Sequence, residues 1–387
     1  MIKGFKIRIF PTPEQEVLIN KHIGCCRFIW NYMLEYSTTY YYDCSNSLSR
    51  FDMIKLLTKV KHCGYFDWLN KVSNASLQIT CSDLSNAYKN FFRKACNRPK
   101  HKSKKLAKQT YPIRGDVLYF NAYQVQIEKL GKVKYQTNLY IPLGKDQKFF
   151  NPRISKQGKK WILSFGMECE NQAPVLTDTT MGIDLGIKEL AVVSFGDSHK
   201  VFHNINKTRR VKNLESKLKH IQRVVNRKYG VGNRLHPDMR TQKTNAILYY
   251  EDMIRKTYSK LHNIRINYLH QTTHELVSIL PKVVGMETLN VSGMIKNKHL
   301  AKDIQKQCFY EFYRQMQYKC EGRGIKLIRA DRFYPSSKTC SNCGYIKKDL
   351  KLSDRTYICP ECGMVLDRDL NAAINLKNHA VALLETV

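Results

Sequence analysis

The sequence has few acidic residues for its length and no long apolar run. Asp and Glu total 32 of its 387 residues, against 65 Lys and Arg, so the formal net charge is +33. A surplus of this size on a folded chain attracts polyanions, most often nucleic acid. No apolar stretch approaches the roughly 20 residues that span a bilayer, and the charged start does not match a secretion signal. We therefore expect a nucleic-acid-binding protein of the prokaryotic cytoplasm, without membrane association and nucleoid-associated when bound to DNA.

The signs of a disulfide framework are also missing, although the chain contains 13 cysteines. Their number is odd, and thiols of cytosolic proteins are normally kept reduced. Nine of them follow no spacing pattern, and we interpret these as small buried apolar residues or incidental thiols. They are Cys25, Cys26, Cys44, Cys63, Cys81, Cys96, Cys169, Cys308 and Cys320.

The remaining cysteines form two Cys-x-x-Cys pairs separated by fifteen residues, and each pair is followed by glycine. Four soft thiolates at this spacing suit tetrahedral Zn²⁺, and they leave no open coordination position for catalysis. The alternative is a set of unmetallated or redox-active thiols. The pattern favours a structural zinc ribbon with one Zn²⁺ held by Cys340, Cys343, Cys359 and Cys362.

The N-terminal half begins with a strand and continues with helices. Residues 1–10 alternate between apolar and basic side chains, which predicts a strand. Thr12 then has the place of an N-cap, with Pro13 at the first helical position and Gln15 completing a capping box. A helical pattern continues to about residue 95. Residues 93–108 form the densest basic run, with eight Lys or Arg and no acid.

The following segments point to two further units, as the length of the chain also suggests. Between about 111 and 170 the apolar period is two, which predicts a small β-barrel or sandwich, and 171–180 is interpreted as a linker. The C-terminal half alternates strands and helices, with the order of a ribonuclease-H-like mixed sheet. Its predicted elements are a hairpin over 181–195, helices at 209–228 and 258–279, a strand at 283–286, a helix at 301–320, a strand at 325–328 and a last helix from 370.

Acidic residues occur at the ends of apolar elements in this C-terminal half. Asp184 lies within an apolar strand between two glycines, and Glu287 follows another apolar strand. Asp367 and Asp369 stand at the start of the last helix. Each acid alone has an ordinary explanation, a solvent-facing strand end or a helix cap. Together they provide the hard oxygen ligands that two divalent cations need for phosphodiester hydrolysis.

The sequence resembles the TnpB family, the insertion-sequence proteins ancestral to type V CRISPR effectors. The resemblance covers nearly the whole chain. Its segments are 10–15, 27–31, 98–105, 182–186, 263–265 with 269–270, 286–291, 335–340, the second cysteine pair and 367–373. It implies a nuclease that carries a guide RNA derived from the end of its own element and cuts double-stranded target DNA beside a short adjacent motif.

The resemblance also implies a multidomain α+β fold. Its parts would be a helical recognition lobe, a small wedge-like β-barrel and a ribonuclease-H-like (RuvC) α/β domain with an inserted zinc ribbon. The expected boundaries are 1–10 and 111–175 for the barrel, 11–110 for the helical domain, 176–335 and 364–387 for the nuclease, and 336–363 for the ribbon.

Carried over position by position, the family's catalytic acids fall on Asp184, Glu287 and Asp369, which would hold two Mg²⁺. The family's Asp-x-Asn pattern selects Asp369 over Asp367, which is then interpreted as a cap. Thr288 departs from the aspartate common at its position, but neighbouring strand residues face opposite sides. His101 replaces a frequent aromatic residue.

The basic run and the helix at 209–228 are expected to contact nucleic acid, although such runs are often only solvated faces. The contacts in the run are assigned to Arg93, Lys94, Arg98, Lys100, Lys102, Lys104 and Lys105. Two other functions stay open: a non-cleaving RNA-guided DNA-binding repressor, and a guide-independent DNA-binding accessory protein of a transposon. The complete set of acids and cysteines favours cleavage.

Overall fold

A computed structural model describes residues 2–104, 107–137, 141, 147–169, 174–235, 243–351 and 354–385, with the backbone alone for 231–235 and 385. The chain divides into two compact units, Met1–Glu170 and Asn171–Val387. No described helix is long and apolar enough to cross a bilayer.

The first unit contains the strand β1 (Ile2–Phe10) and the helices α1 (Pro13–Cys44), α2 (Arg50–His62) and α3 (Asn74–Phe92). The predicted start of α1 is confirmed, because the Gln15 amide N–H donates to the Thr12 hydroxyl at 3.3 Å and the Thr12 amide donates to the Gln15 side chain at 3.0 Å. Buried apolar residues such as Ile29, Leu57 and Leu77 pack the three helices together.

The strand-rich part of this unit is an antiparallel sheet. Its other strands are β2 (Thr110–Pro112), β3 (Tyr119–Phe120), β4 (Gln124–Ile127), β5 (Gly131–Gln136), β6 (Phe149–Gln157) and β7 (Lys160–Glu168), in the order β2-β6-β7-β1-β5-β4-β3. The strand expected from Val117 begins only at Tyr119, because Gly115–Val117 forms a 3₁₀ turn. Most of the strand expected at 139–141 lies outside the described residues. Closure of the sheet into a barrel stays a prediction.

The second unit is built on a mixed sheet. Its strands are β8 (Thr177–Leu185), β9 (Glu189–Phe195), β10 (Ser198–His203), β11 (Pro281–Met286) and β12 (Lys326–Arg329), in the order β10-β9-β8-β11-β12. The first three are antiparallel, and β11 pairs in parallel with both β8 and β12. The predicted hairpin is therefore confirmed. The linker expected at 171–180 was wrong for Thr177–Thr180, whose polar residues lie in β8.

The helices of this unit are α4 (Arg209–Leu235), α5 (Asn245–Ser278), α6 (Val291–Met294), α7 (Ala301–Gln307), α8 (Phe309–Glu321) and α9 (Arg368–Glu385). The single helix expected at 301–320 is wrong, since it is broken at Cys308, whose φ of 55° is left-handed. The buried side chain of Gln307 donates to the Gly186 and Ile187 carbonyls at 3.2 and 3.0 Å. The break therefore occurs where α7 is tied to the loop after β8.

A small antiparallel hairpin precedes α9. It consists of β13 (Thr356–Ile358) and β14 (Val365–Asp367), and β14 continues directly into the helix. An isolated bridge joins Thr339 and Ile346. The two cysteine pairs lie at the turns of these segments.

Candidate active site and metal centre

Two of the three acids are placed by neighbouring parallel strands. Gly285 of β11 lies opposite Gly182 of β8, and Met286 lies opposite Ile183. The next residues, Glu287 and Asp184, therefore come to the same level at the ends of adjacent strands. The Leu185 amide N–H donates to Glu287 Oε1 at 3.3 Å, which holds the Glu287 carboxylate against β8.

Helix α9 lies directly on the backbone of these strands. A Cβ atom at Gly182 would be 2.0 Å from the Ala373 carbonyl oxygen, and one at Gly285 would be 2.2 Å from the Leu376 carbonyl oxygen. The sequence suggested that the glycines beside Asp184 clear space for a ligand. The space at Gly182 is instead filled by the helix. The paired glycines thus allow the closest possible contact between sheet and helix.

This contact brings the third acid to the other two. Residues 182 and 184 face the same side of the sheet, as do 285 and 287. Two residues along a strand cover about 6.6 Å, and the four helical residues from Ala373 back to Asp369 cover about 6 Å. Asp369, in the first turn of α9, therefore lies on the side of the sheet that carries Asp184 and Glu287.

The electrostatics agree with this placement. Burial raises the pKa of Asp184 well above its usual range, and the charges of Glu287 and Asp369 raise it further, against the opposing effect of Arg368. Burial and the charge of Asp369 raise the pKa of Glu287 to about 7. Three carboxylates that repel one another at a partly buried strand edge are suited to binding cations, because cations remove the repulsion.

The neighbouring acid, Asp367, has a different task. Its Oδ1 accepts hydrogen bonds from the Asp369 and Leu370 amides at 2.9 and 3.1 Å, so it caps α9 as the sequence indicated. Asp369 is free of the cap and forms an ion pair with Arg368 at 3.1 Å.

The four cysteines of the two pairs form a compact cluster. Within the described parts of the chain, they are the one group of three or more His, Cys, Asp or Glu residues whose ligand atoms all lie within 4.8 Å of one another. The acids near β8 are spread more widely. Gly344 and Gly363 have positive φ angles of 79° and 68°, and their amides turn back to the Cys340 and Cys359 carbonyls. The amide of Met364 lowers the pKa of the Cys362 thiol to about 6. The chemistry of the donor set suggests a zinc site.

The basic run is anchored to α1 over part of its length. Trp30 Nε1 donates to the Lys100 carbonyl at 3.1 Å, and Asn31 exchanges two hydrogen bonds with the Lys102 backbone, at 2.8 and 3.0 Å. Lys102 Nζ lies 3.2 Å from the centroid of the Trp30 ring, and burial lowers its pKa to about 8. The sequence analysis quoted Trp30 and Asn31 without this role, which only their position in a family motif signalled.

The other candidate contacts differ in exposure and description. The side chains of Arg93, Lys94, Arg98, Lys100 and Lys104 are exposed, with Arg98 also donating to the Thr38 hydroxyl at 3.4 Å. Lys105 lies outside the described residues. The exposed members are available to a phosphate backbone, whereas the Lys102 ammonium is stacked on an indole ring.

Three family models match the chain. They are a helix-turn-helix domain (HTH_OrfB_IS605) over residues 1–44, a probable transposase (OrfB_IS605) over 164–298 and a Cas12f1-like TNB domain over 309–376. The first of these segments folds here as β1 followed by the single long helix α1.

Relatives match over almost the whole length. A putative RNA-guided DNA endonuclease of Streptomyces pristinaespiralis is 28% identical over 97% of this chain and 88% of the relative. TnpB-like protein L770 of Acanthamoeba polyphaga mimivirus is 23% identical over 97% of this chain and 72% of the relative. The chain belongs to the TnpB family.

A solved structure shares the fold of this TnpB family member. It is the cryo-EM structure of a Cas12f1–sgRNA–target DNA complex, with a TM-score of 0.62, 12% identity and coverage of 98% of this chain and 99% of that one. The described architecture is therefore common to this TnpB family chain and a Cas12f1 protein.

Proposed function

We propose that this chain is an RNA-guided DNA endonuclease of a transposable element, cutting double-stranded DNA beside a short adjacent motif. The observation that carries the proposal is the meeting of Asp184, Glu287 and Asp369 at one edge of the mixed sheet, where each acid is supplied by a different element. The printed names of the relatives support the same activity.

In this proposal the second unit acts as a RuvC-type nuclease with a ribonuclease-H-like sheet. Asp184, Glu287 and Asp369 would hold two Mg²⁺, with Asp184 between the other two. When bound, the ions would supply an activated water and would stabilise charge on the leaving 3′ oxygen. Leu185 orients Glu287 through its amide, and the cap at Asp367 fixes the start of the helix that carries Asp369. The cysteine cluster would hold one structural Zn²⁺.

The positive charge of the chain serves the two nucleic acids in this proposal. A guide RNA derived from the element's end would pair with the target strand and supply the sequence specificity. Phosphates would be neutralised by exposed residues of the basic run, among them Arg93, Lys94 and Lys100, and by the basic face of α4. The anchoring at Trp30 and Asn31 would keep this run in a fixed path on α1.

The first test is the isolation of the chain from cells that carry its native flanking DNA, followed by sequencing of the RNA bound to it. One abundant RNA with a variable end is expected, and it defines the target for a Mg²⁺-dependent cleavage assay. Random cellular RNA would instead favour the guide-independent DNA-binding accessory protein.

The acids are tested with a matched pair of variants two residues apart. Asp369→Asn should abolish cutting while RNA and DNA binding persist, and Asp184→Ala should do the same. Asp367→Asn keeps an N-cap oxygen and should cut normally. If Asp369→Asn cut DNA as well as Asp367→Asn, the assignment of the active site would be wrong.

A further inference from the structure

The cysteine cluster is connected to the helix that carries Asp369 by two separate routes. The first route is the chain itself. Cys359 and Cys362 lie between β13 and β14, and β14 ends at Asp367, directly before α9 begins. Two residues therefore separate the end of the second cysteine hairpin from Asp369.

The second route consists of side-chain hydrogen bonds from α9 to the segment around the first cysteine pair. Asn371 is fully buried, and its Nδ2 donates to the Thr339 carbonyl at 2.7 Å while its Oδ1 accepts from the Ser341 amide at 3.0 Å. These two backbone groups flank Cys340. One helical turn later, Asn375 Nδ2 donates to the Thr339 and Ser336 carbonyls, both at 2.7 Å.

These asparagines have no reason to be in the helix other than this contact. Asparagine has a lower helix propensity than alanine, and a buried amide without partners is costly. Here the amides satisfy backbone groups that a knuckle around a metal leaves without regular strand or helix partners. On its opposite side α9 is pressed against Gly182 and Gly285. The helix is thus held between the sheet and the cysteine cluster, with no free space on the sheet side.

We propose that Asn371 and Asn375 are positioning residues that transmit the geometry of the metal-bound cysteine cluster to Asp369. The cluster would then be a part of the nuclease site's support rather than a separate stabilising module. This inference rests on the proposed function, since it assumes that Asp184, Glu287 and Asp369 bind divalent cations.

The test measures Mn²⁺ binding to the full chain by electron paramagnetic resonance, with zinc content and melting temperature determined on the same samples. Asn371→Ala should retain one zinc per chain and weaken Mn²⁺ binding about 10–100-fold, the range typical of residues that orient metal ligands. The matched control is Gln315→Ala, since Gln315 is an equally buried amide that hydrogen-bonds Thr273 and Glu311 away from α9. The control should bind Mn²⁺ like the unmodified chain.

The outcomes separate the inference from the proposed function. An unmodified chain that binds no Mn²⁺ at the acids, or whose Mn²⁺ binding is unaffected by Asp184→Ala, would overturn the active-site assignment. Normal Mn²⁺ binding by zinc-loaded Asn371→Ala would overturn the inference alone. If Asn371→Ala does not fold, the same comparison is made with Asn375→Ala, which loses hydrogen bonds to Ser336 and Thr339 but none to Ser341.

Discussion

The contact between α9 and the paired glycines makes Gly182→Ala a sharp test of how the site is built. The new methyl group would lie 2.0 Å from the Ala373 carbonyl oxygen and 2.5 Å from the Lys377 amide nitrogen. Both are backbone atoms, so neither can rotate away as a flexible side chain would. The helix has to move as a whole, or the strand has to bend.

The size of the effect follows from the geometry. Restoring an ordinary carbon–oxygen contact requires a shift of α9 by about 1 Å, and overpacking of this kind costs about 1–3 kcal/mol of stability. Because Asp369 moves with the helix, the same shift separates it from Asp184 and Glu287. A displacement of about 1 Å in a catalytic group can reduce the rate about 100-fold. We therefore expect a folded variant with a disproportionate loss of cleavage.

The assay compares single-turnover DNA cleavage at saturating Mg²⁺ with the melting temperature of each variant. The matched control is Gly4→Ala, since Gly4 also lies in a strand but has open space around its Cβ position. Gly4→Ala should cut within a few-fold of the unmodified rate. Cleavage by Gly182→Ala at the control's rate would refute the argument that backbone contact between α9 and β8 positions Asp369.

Three other predictions concern metal, pH and salt. Cys343→Ser, or removal of zinc by a chelator, should lower the melting temperature of the second unit; an unchanged melting curve would contradict a structural zinc site. Since the pKa of Glu287 lies near 7 in the folded chain, above its ordinary value of 4.5, its contribution to stability is full below pH 4.5 and declines as the pH rises to 7. Glu287→Gln should therefore raise the melting temperature of the metal-free protein at pH 8 but not at pH 4, and equal effects at both would oppose the assignment. Replacing Lys100 and Lys104 by Gln should reduce the salt dependence of nucleic-acid binding by up to about 0.9 log units per lost phosphate contact, whereas an unchanged slope would identify the basic run as a solvated face.

Local chemistry made several parts of the fold predictable. The capping box at Thr12 and Gln15 uses contacts within one turn, and the spacing of the cysteine pairs follows from the reach of four thiolates around one ion. The apolar strands that lead to Asp184 and Glu287 are equally local. These features depend on residues close together in the sequence, so a single sequence carries them.

The parts that the sequence did not indicate depend on distant partners. β10 is an edge strand with mostly exposed side chains, so its pairing with β9 leaves no apolar alternation to detect. The break at Cys308 involves neither glycine nor proline, since Gln307 instead hydrogen-bonds a loop about 120 residues earlier. The glycine before Asp184 suggested open space because nothing local shows that a helix almost 190 residues later fills it.

The position of β1 bears on how the chain folds during synthesis. The first strand lies in the interior of its sheet, where Ile2 pairs with Glu168 of β7 and Arg8 with Gln136 of β5. Both partners are translated long after it, and at about 5–20 residues per second β7 emerges roughly 8–30 s later. During that interval α1 is complete while the strand joined to it by Pro11 has both edges unpaired. Such an edge is open to pairing with other chains, so the N-terminus is the segment that a nascent-chain chaperone would need to shield first.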